Sequence, residues 1–282
     1  HLGNVALFRY MLKAKSDLGA IDDNKNTALH FAVKSSLDIV KLVLGLDSSA
    51  GILVPDSKRA PMLLAKNSSG HDCRLLAAMA GQEKILKFCE SICSANREAM
   101  LHAKKTDDLT LSWSLEDLHA VLLLIETGNE ACLKYVLDAG FDTSLRVEDK
   151  DNSNIMMWAC LYGHLPIIDM LMAMKLNFQD HDAKGKTALH YAARCTTEAV
   201  VAHLLSHENA ADCGLSQDSV TVVDISGATP MHVAATNNVQ VKIDLIASHG
   251  LEQALNTADS QGMTPMLLAC KHHHAQIVLD YL

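Results

Sequence analysis

One seven-residue segment, repeated along the chain, limits the fold more than any other feature of the sequence. Thr187-Ala188-Leu189-His190-Tyr191-Ala192-Ala193 recurs as Thr27-Ala28-Leu29-His30-Phe31-Ala32-Val33, as Thr229-Pro230-Met231-His232-Val233-Ala234-Ala235 and as Thr264-Pro265-Met266-Leu267-Leu268-Ala269-Cys270. Looser copies stand at Asn154-Ile155-Met156-Met157-Trp158-Ala159-Cys160 and around Ala77-Ala78-Met79-Ala80-Gly81 and Leu124-Ile125-Glu126-Thr127-Gly128. Such self-similarity marks a stack of small units, none of which can bury its apolar surface alone. Starts at positions 27, 72, 119, 154, 187, 229 and 264 give seven units, and Gly3 to Asp22 supplies a leading half. A unit of about 33 residues fits this spacing if insertions fall near 47–69, 93–110 and 208–220, each expected to be a loop at an element junction.

Within a unit, local chemistry predicts where helices begin. Thr187 precedes an apolar helical run and can cap it through its hydroxyl. Pro230 and Pro265 come one position later, where a missing amide hydrogen costs nothing. Upstream, Asp182/Gly185, Asp224/Gly227 and Asp259/Gly262 repeat D-x-x-G, with glycine where a tight tip needs positive φ. Lys25 and Asn152 take that place in two units; Asn tolerates the left-handed region, whereas Lys25 should be mildly strained. The small pairs Ala77-Ala78, Ala192-Ala193 and Ala234-Ala235 let neighbouring first helices approach. A second helix such as the one bearing Ile39, Val40, Leu42, Val43 and Leu44 buries its face against the units beside it.

Together these segments resemble the ankyrin repeat, whose signature T-P-L-H-x-A-A follows a D-x-x-G turn. The resemblance covers nearly the whole chain outside the insertions. It implies an all-α ankyrin-repeat solenoid of about seven to eight helix-turn-helix repeats with hairpin-like loops, a single array over 1–282 that reads as a piece of a longer protein. It also implies that His30, His190 and His232 are structural, bonding to the backbone of the adjacent turn. The function implied is a protein-protein interaction scaffold whose concave face, built from loop tips and outward positions of the first helices, binds partner proteins. On that face the position after the signature histidine carries Phe31, Trp158, Tyr191 and Val233. The next outward positions carry Leu161, Tyr162, Arg194, Thr236 and Asn237, and the loop tip carries Lys184 and Lys186. Trp158, Tyr162 and Tyr191 would form an aromatic patch beside Arg194, and Trp, Tyr and Arg are the types enriched in binding hot spots. The competing reading packs Trp158 and Tyr191 between neighbouring first helices. Inversin-like scaffolds and the cytosolic arrays of TRP-type channels both carry such repeats, so a gating or tethering domain of an ion channel is the alternative function.

Composition trims the remaining classes. A net charge of −9, with Lys58-Arg59 and Lys104-Lys105 as isolated basic spots, speaks against a nucleic-acid surface. The eight cysteines form no C-x-x-C and several fall at apolar helix positions, Cys89 and Cys93 among them, which predicts buried free thiols in cytosol or nucleus. His1 to Tyr10 lacks the pattern of a signal peptide. Ile155 to Met174 is apolar enough to suggest a membrane span, but Gly163-His164 and Pro166 divide it into two short helices, so no membrane insertion is expected. His203 and His207 lie four apart with Cys213 nearby, yet a closed zinc site needs four ligands, and no metal is expected. His272-His273-His274 is expected as a solvated turn. With no nucleophile elbow, phosphate loop or H-E-x-x-H, the chain is read as a non-enzyme without cofactors.

Overall fold

The computed structural model describes residues 5, 9–10, 17–47, 54–95, 115–147, 151–197, 199–206, 217–237 and 255–274. Among the described residues the ordered structure is helical, with no strand and only an isolated bridge between Ile21 and Thr27. No helix among them is long and apolar enough to cross a membrane. Two compact units divide the chain: His1–Leu124 with Ala131–Asp142, and Ile125–Glu130 with Thr143–Leu282.

The first unit contains α1 (Ala28–Ala32), α2 (Leu37–Val43), α3 (Asp56–Leu64), α4 (Cys73–Met79), α5 (Glu83–Ala95), α6 (Leu115–Glu126, as far as Leu124) and α7 (Glu130–Asp138, from Ala131). Its core is the apolar stripe of each helix: Leu29, Ile39, Val40, Leu42 and Val43 from the first pair, and Cys73, Leu75, Leu76, Ile85, Leu86 and Cys89 from the second. Burying a leucine or isoleucine of this kind stabilises by roughly 1.5–3 kcal/mol. Val5 and Leu18, from the leading half-unit, pack against the Leu42 cluster.

In the second unit, α8 (Ile155–Tyr162), α10 (Ala188–Arg194), α12 (Pro230–Thr236) and α13 (Pro265–Lys271) are first helices that follow one another side by side. Between them come the second helices α9 (Leu165–Ala173) and α11 (Ala199–Ser206). The alanine pairs make the close approach possible, since Ala192, Ala193, Ala234 and Ala235 are fully buried. Gly163 ends α8 with φ 80°, and Pro166 stands in the first turn of α9, so the apolar Ile155 to Met174 stretch is two helices.

The fingers before the helices share one hydrogen-bond scheme. The signature aspartate accepts two amides of its own turn: Lys184 and Lys186 on Asp182, Ser226 and Ala228 on Asp224, Gln261 and Met263 on Asp259. Successive fingers then pair. Ile225 donates its amide to the Lys184 carbonyl at 2.9 Å, and Ser260 donates to Ser226 at 2.9 Å. Gly227 is required twice over: its φ is 75°, and a Cβ there would lie 2.8 Å from the Ser260 amide nitrogen. Lys25 and Asn152 hold the same left-handed conformation, at φ 59° and 53°.

Three features depart from the sequence reading. The 47–69 insertion is not a plain loop. Its residues 56–64 form α3, with Ala60 and Leu63 fully buried and Arg59 Nε donating to the Leu44 carbonyl at 2.9 Å. Asn67 to Gly70, assigned largely to that insertion, is a finger in its own right: Asn67 Oδ1 accepts the Ser69 and His71 amides just as the aspartates do elsewhere. The third helix pair begins at Leu115, a turn before His119, so residues 115–117 are helical where other units place a finger. Of the later insertions, Cys93 lies in the last turn of α5, which runs to Ala95, and Gln217–Val220 forms a 3-10 turn with Ser219 and Val220 buried. The remainder of both segments lies outside the described residues.

Candidate functional site

The signature histidines are built into the frame. The amides of Thr27, Thr187 and Thr229 donate at 3.1 Å to Nδ1 of His30, His190 and His232 respectively. An Nδ1 that accepts leaves the proton on Nε2, which donates onward at 3.1 Å: His190 to the Ala228 carbonyl, His232 to that of Met263. One imidazole therefore caps its own helix and ties it to the next unit. Burial pushes all three below the ordinary histidine value, against the pull of nearby aspartates. His164 and His274 make a second type of tie, bonding at 3.1 and 3.0 Å to the carbonyls of Glu126 and Thr236.

The aromatic patch expected from the sequence is split by depth. Trp158 is half-buried, its indole donating to Ser153 Oγ at 2.8 Å, and its ring stacks on Tyr162 with centroids 5.7 Å apart. Tyr162 is half-buried rather than largely exposed. Burial, and then the Glu126 carboxylate near its hydroxyl, raise its pKa. Tyr191 is buried, not outward: its hydroxyl donates to Asp182 Oδ2 at 2.8 Å, anchoring the finger of its own unit. Burial and then that aspartate hold its phenol above the ordinary value. Arg194, one turn along α10, is exposed.

Among the remaining positions, Leu161 and Val233 are half-buried, while Thr236 and Asn237 are exposed. The Thr236 hydroxyl donates to the His232 carbonyl at 2.8 Å and the Asn237 carboxamide to that of Val233 at 2.7 Å, so both serve the end of α12. Lys184 is paired with Asp151 at 2.6 Å, and Lys186 is half-buried on the same finger. Phe31 belongs to the first unit and leaves 57% of its surface exposed. Sequence reasoning missed Ser153 and Asp182 as the groups that orient Trp158 and Tyr191. The signal was present, because Ser153 immediately precedes the Asn154 cap and Asp182 stands in the finger before the Thr187 cap.

The other constellations resolve by placement. His203 Nε2 lies 2.6 Å from Asp169 Oδ1, while His207 and Cys213 lie outside the described residues. His272 and His273 are exposed, with His273 left-handed at φ 61° and the rings of His272 and His274 stacked at 5.9 Å. Cys73, Cys89, Cys93, Cys132, Cys160 and Cys195 are buried free thiols and Cys270 is exposed. Burial pushes Cys89 up to about 12, which removes thiolate reactivity at neutral pH.

Comparison with known proteins agrees with this geometry. A family model for ankyrin repeats, in three copies, matches residues 118–217, and a single ankyrin-repeat model matches residues 24–57. A probable E3 ubiquitin-protein ligase, XBOS32 of Oryza sativa subsp. japonica, is 26% identical over 196 residues, covering 55% of this chain and 39% of that protein. IkB-like proteins of African swine fever virus are also similar. That of strain Badajoz 1971 Vero-adapted is 29% identical over 101 residues, or 32% of this chain and 40% of its own. The chain thus spans about two fifths of the length of the curated relatives it matches. With matched family models, histidine-capped helices and paired fingers, the units over residues 24–57 and 118–217 are ankyrin repeats.

Proposed function

We propose that the repeats hold a partner protein against the concave side made by fingers and first helices, and that in the second unit Trp158, Tyr162 and Arg194 supply the anchor. The supporting observation is the half-buried Trp158–Tyr162 stack with exposed Arg194 on the neighbouring first helix. An aromatic pair fixed by packing and by the Ser153 hydrogen bond loses little conformational freedom on binding, which favours a hot spot. Two relatives with unrelated names match parts of this chain, as fits a module that holds other proteins. The acidic balance fits protein rather than nucleic acid as the partner, and the buried thiols fit the cytosol or nucleus.

The test is capture of partners from cytosolic extract by the wild-type chain and by the Tyr162→Ala/Arg194→Ala variant. Affinity for a partner held at this face should fall by about 2 kcal/mol or more, with helicity unchanged by circular dichroism. Equal affinity at equal helicity would reject this face as the anchor.

A further inference from the structure

The outward charges of the second unit run against those of the chain. The whole sequence has a net charge of −9, yet α8, α10, α12 and α13 together hold no aspartate or glutamate. Their side chains charged at neutral pH are Arg194 and Lys271, each the last residue of its helix and each exposed. Neither pairs with a carboxylate among the described residues. A cation in the last turn suits the helix dipole. The frame does not require one there, because Leu161 and Thr236 stand at the equivalent place in α8 and α12.

The acids of the adjoining fingers are already committed. Asp182, Asp224 and Asp259 each accept two amides of their own turn, and Asp182 also accepts the Tyr191 hydroxyl. Asp151 is paired with Lys184 at 2.6 Å. Arg194 stands near enough to Lys184 to oppose its charge, and Lys186 adds a further cation on the same finger. Around Arg194, then, Lys184, Lys186 and Arg194 outnumber Asp151 and Asp182, and an incoming carboxylate would meet an excess of donors.

Spacing narrows what such a ligand must be. The helices α10, α12 and α13 pack side by side in that order. Packed helices lie about 8–10 Å apart, so Arg194 and Lys271, at the same place two helices apart, are separated by roughly 16–20 Å. An extended chain advances about 3.3 Å per residue, so carboxylates about five or six positions apart would reach both.

We propose that the second unit binds an acidic, extended segment of a partner protein, which sets one carboxylate on Arg194 and another, about five or six residues along, on Lys271. This rests on the Trp158–Tyr162 anchor proposed above and adds the charge and spacing of what that face holds.

The test selects a random dodecapeptide phage library on the 282-residue chain at low salt. Clones held by the wild type and lost with Tyr162→Ala are sequenced, because these use the aromatic face. They should be enriched in Asp and Glu, with pairs of acids about five or six positions apart. Synthetic peptides of those sequences should bind Arg194→Glu/Lys271→Glu about tenfold more weakly by fluorescence polarisation, as two lost exposed pairs and two new repulsions imply. Arg194→Gln/Lys271→Gln, which removes the charges without reversing them, should weaken binding by about threefold and keeps the comparison available if the reversed variant fails to fold. Clones that depend on Tyr162 but carry no excess of acids, or acidic peptides that bind both charge variants as tightly as the wild type, would overturn this proposal and leave the aromatic face standing. Finding no clone that depends on Tyr162 would reject the face and this proposal with it.

Discussion

Alanine at Gly227 and alanine at Gly262 should have unequal effects, although both glycines sit at φ 75°. At each site an L-residue in the left-handed region costs about 1–2 kcal/mol, partly offset by about 0.4–1 kcal/mol of lost freedom in the unfolded chain. At Gly262 no described atom lies within 4 Å of the added Cβ, so Gly262→Ala should cost about 1 kcal/mol or less. At Gly227 the Cβ would stand 2.8 Å from the Ser260 amide nitrogen and 3.2 Å from the Asp259 carbonyl carbon. Both are backbone atoms that cannot swing aside. The next finger must move, stretching the 2.9 Å bond from Ser260 to the Ser226 carbonyl. Crowding of this kind typically adds about 1–3 kcal/mol, bringing Gly227→Ala to about 1–4 kcal/mol in all. Urea unfolding followed by circular dichroism gives the difference, and hydrogen exchange at the Ser260 amide shows whether the loss is local to the finger. If the two variants lose the same stability, finger-to-finger packing does not restrain Gly227 and the reasoning fails.

Two further outcomes follow from buried groups. His30, His71, His190 and His232 are all held below the ordinary value, chiefly by burial, so the unfolded chain takes up protons there first. Their contribution is full above about pH 7 and is lost as pH falls through about 6.5 towards the folded values, while depressed carboxyls such as Asp22 and Asp224 add a separate loss below about pH 4. Urea midpoints at pH 7.5 and 5.5 should show the loss, and His190→Gln should diminish it; an unchanged pH slope in that variant would count against His190. Leu63→Ala should cost about 2–5 kcal/mol in a melt, because Leu63 is fully buried in α3. A loss under about 1 kcal/mol would make α3 a loosely attached element.

Much of the frame was legible because capping and turn chemistry are local. Thr27, Thr187, Thr229 and Thr264, with Asp72 and Asn154, all stand as helix N-caps, and each was readable from one residue and the apolar run after it. The failures lie where the local signal was replaced by an equivalent. Asn67 does the work of a signature aspartate with a carboxamide oxygen, so the D-x-x-G pattern does not mark its finger. In α3 the sequence offered Pro61 within the helix, which argues for a loop. The helix persists because Ala60 and Leu63 bury against α4 and α5. Tertiary burial there outweighs a local breaker, which no window of sequence could weigh.

The candidate site was less legible for a different reason. Periodicity makes positions equivalent in direction but leaves depth open. Trp158 and Tyr191 occupy the same place in adjacent repeats, yet one stays half-buried and the other is buried. The difference lies in what the polar end of each ring can reach. A phenol at this position extends to Asp182, a carboxylate already committed to its finger, and bonding it there draws the ring inward. The indole nitrogen finds Ser153 instead, and the ring is left to stack on Tyr162 at the edge. Leu161 and Arg194 repeat the lesson at the next equivalent place: one is half-buried and the other exposed, because a guanidinium without a buried partner retains its water. A partner-facing surface in a repeat protein is thus chosen residue by residue, by which polar ends the frame satisfies first and which it leaves for a partner to satisfy.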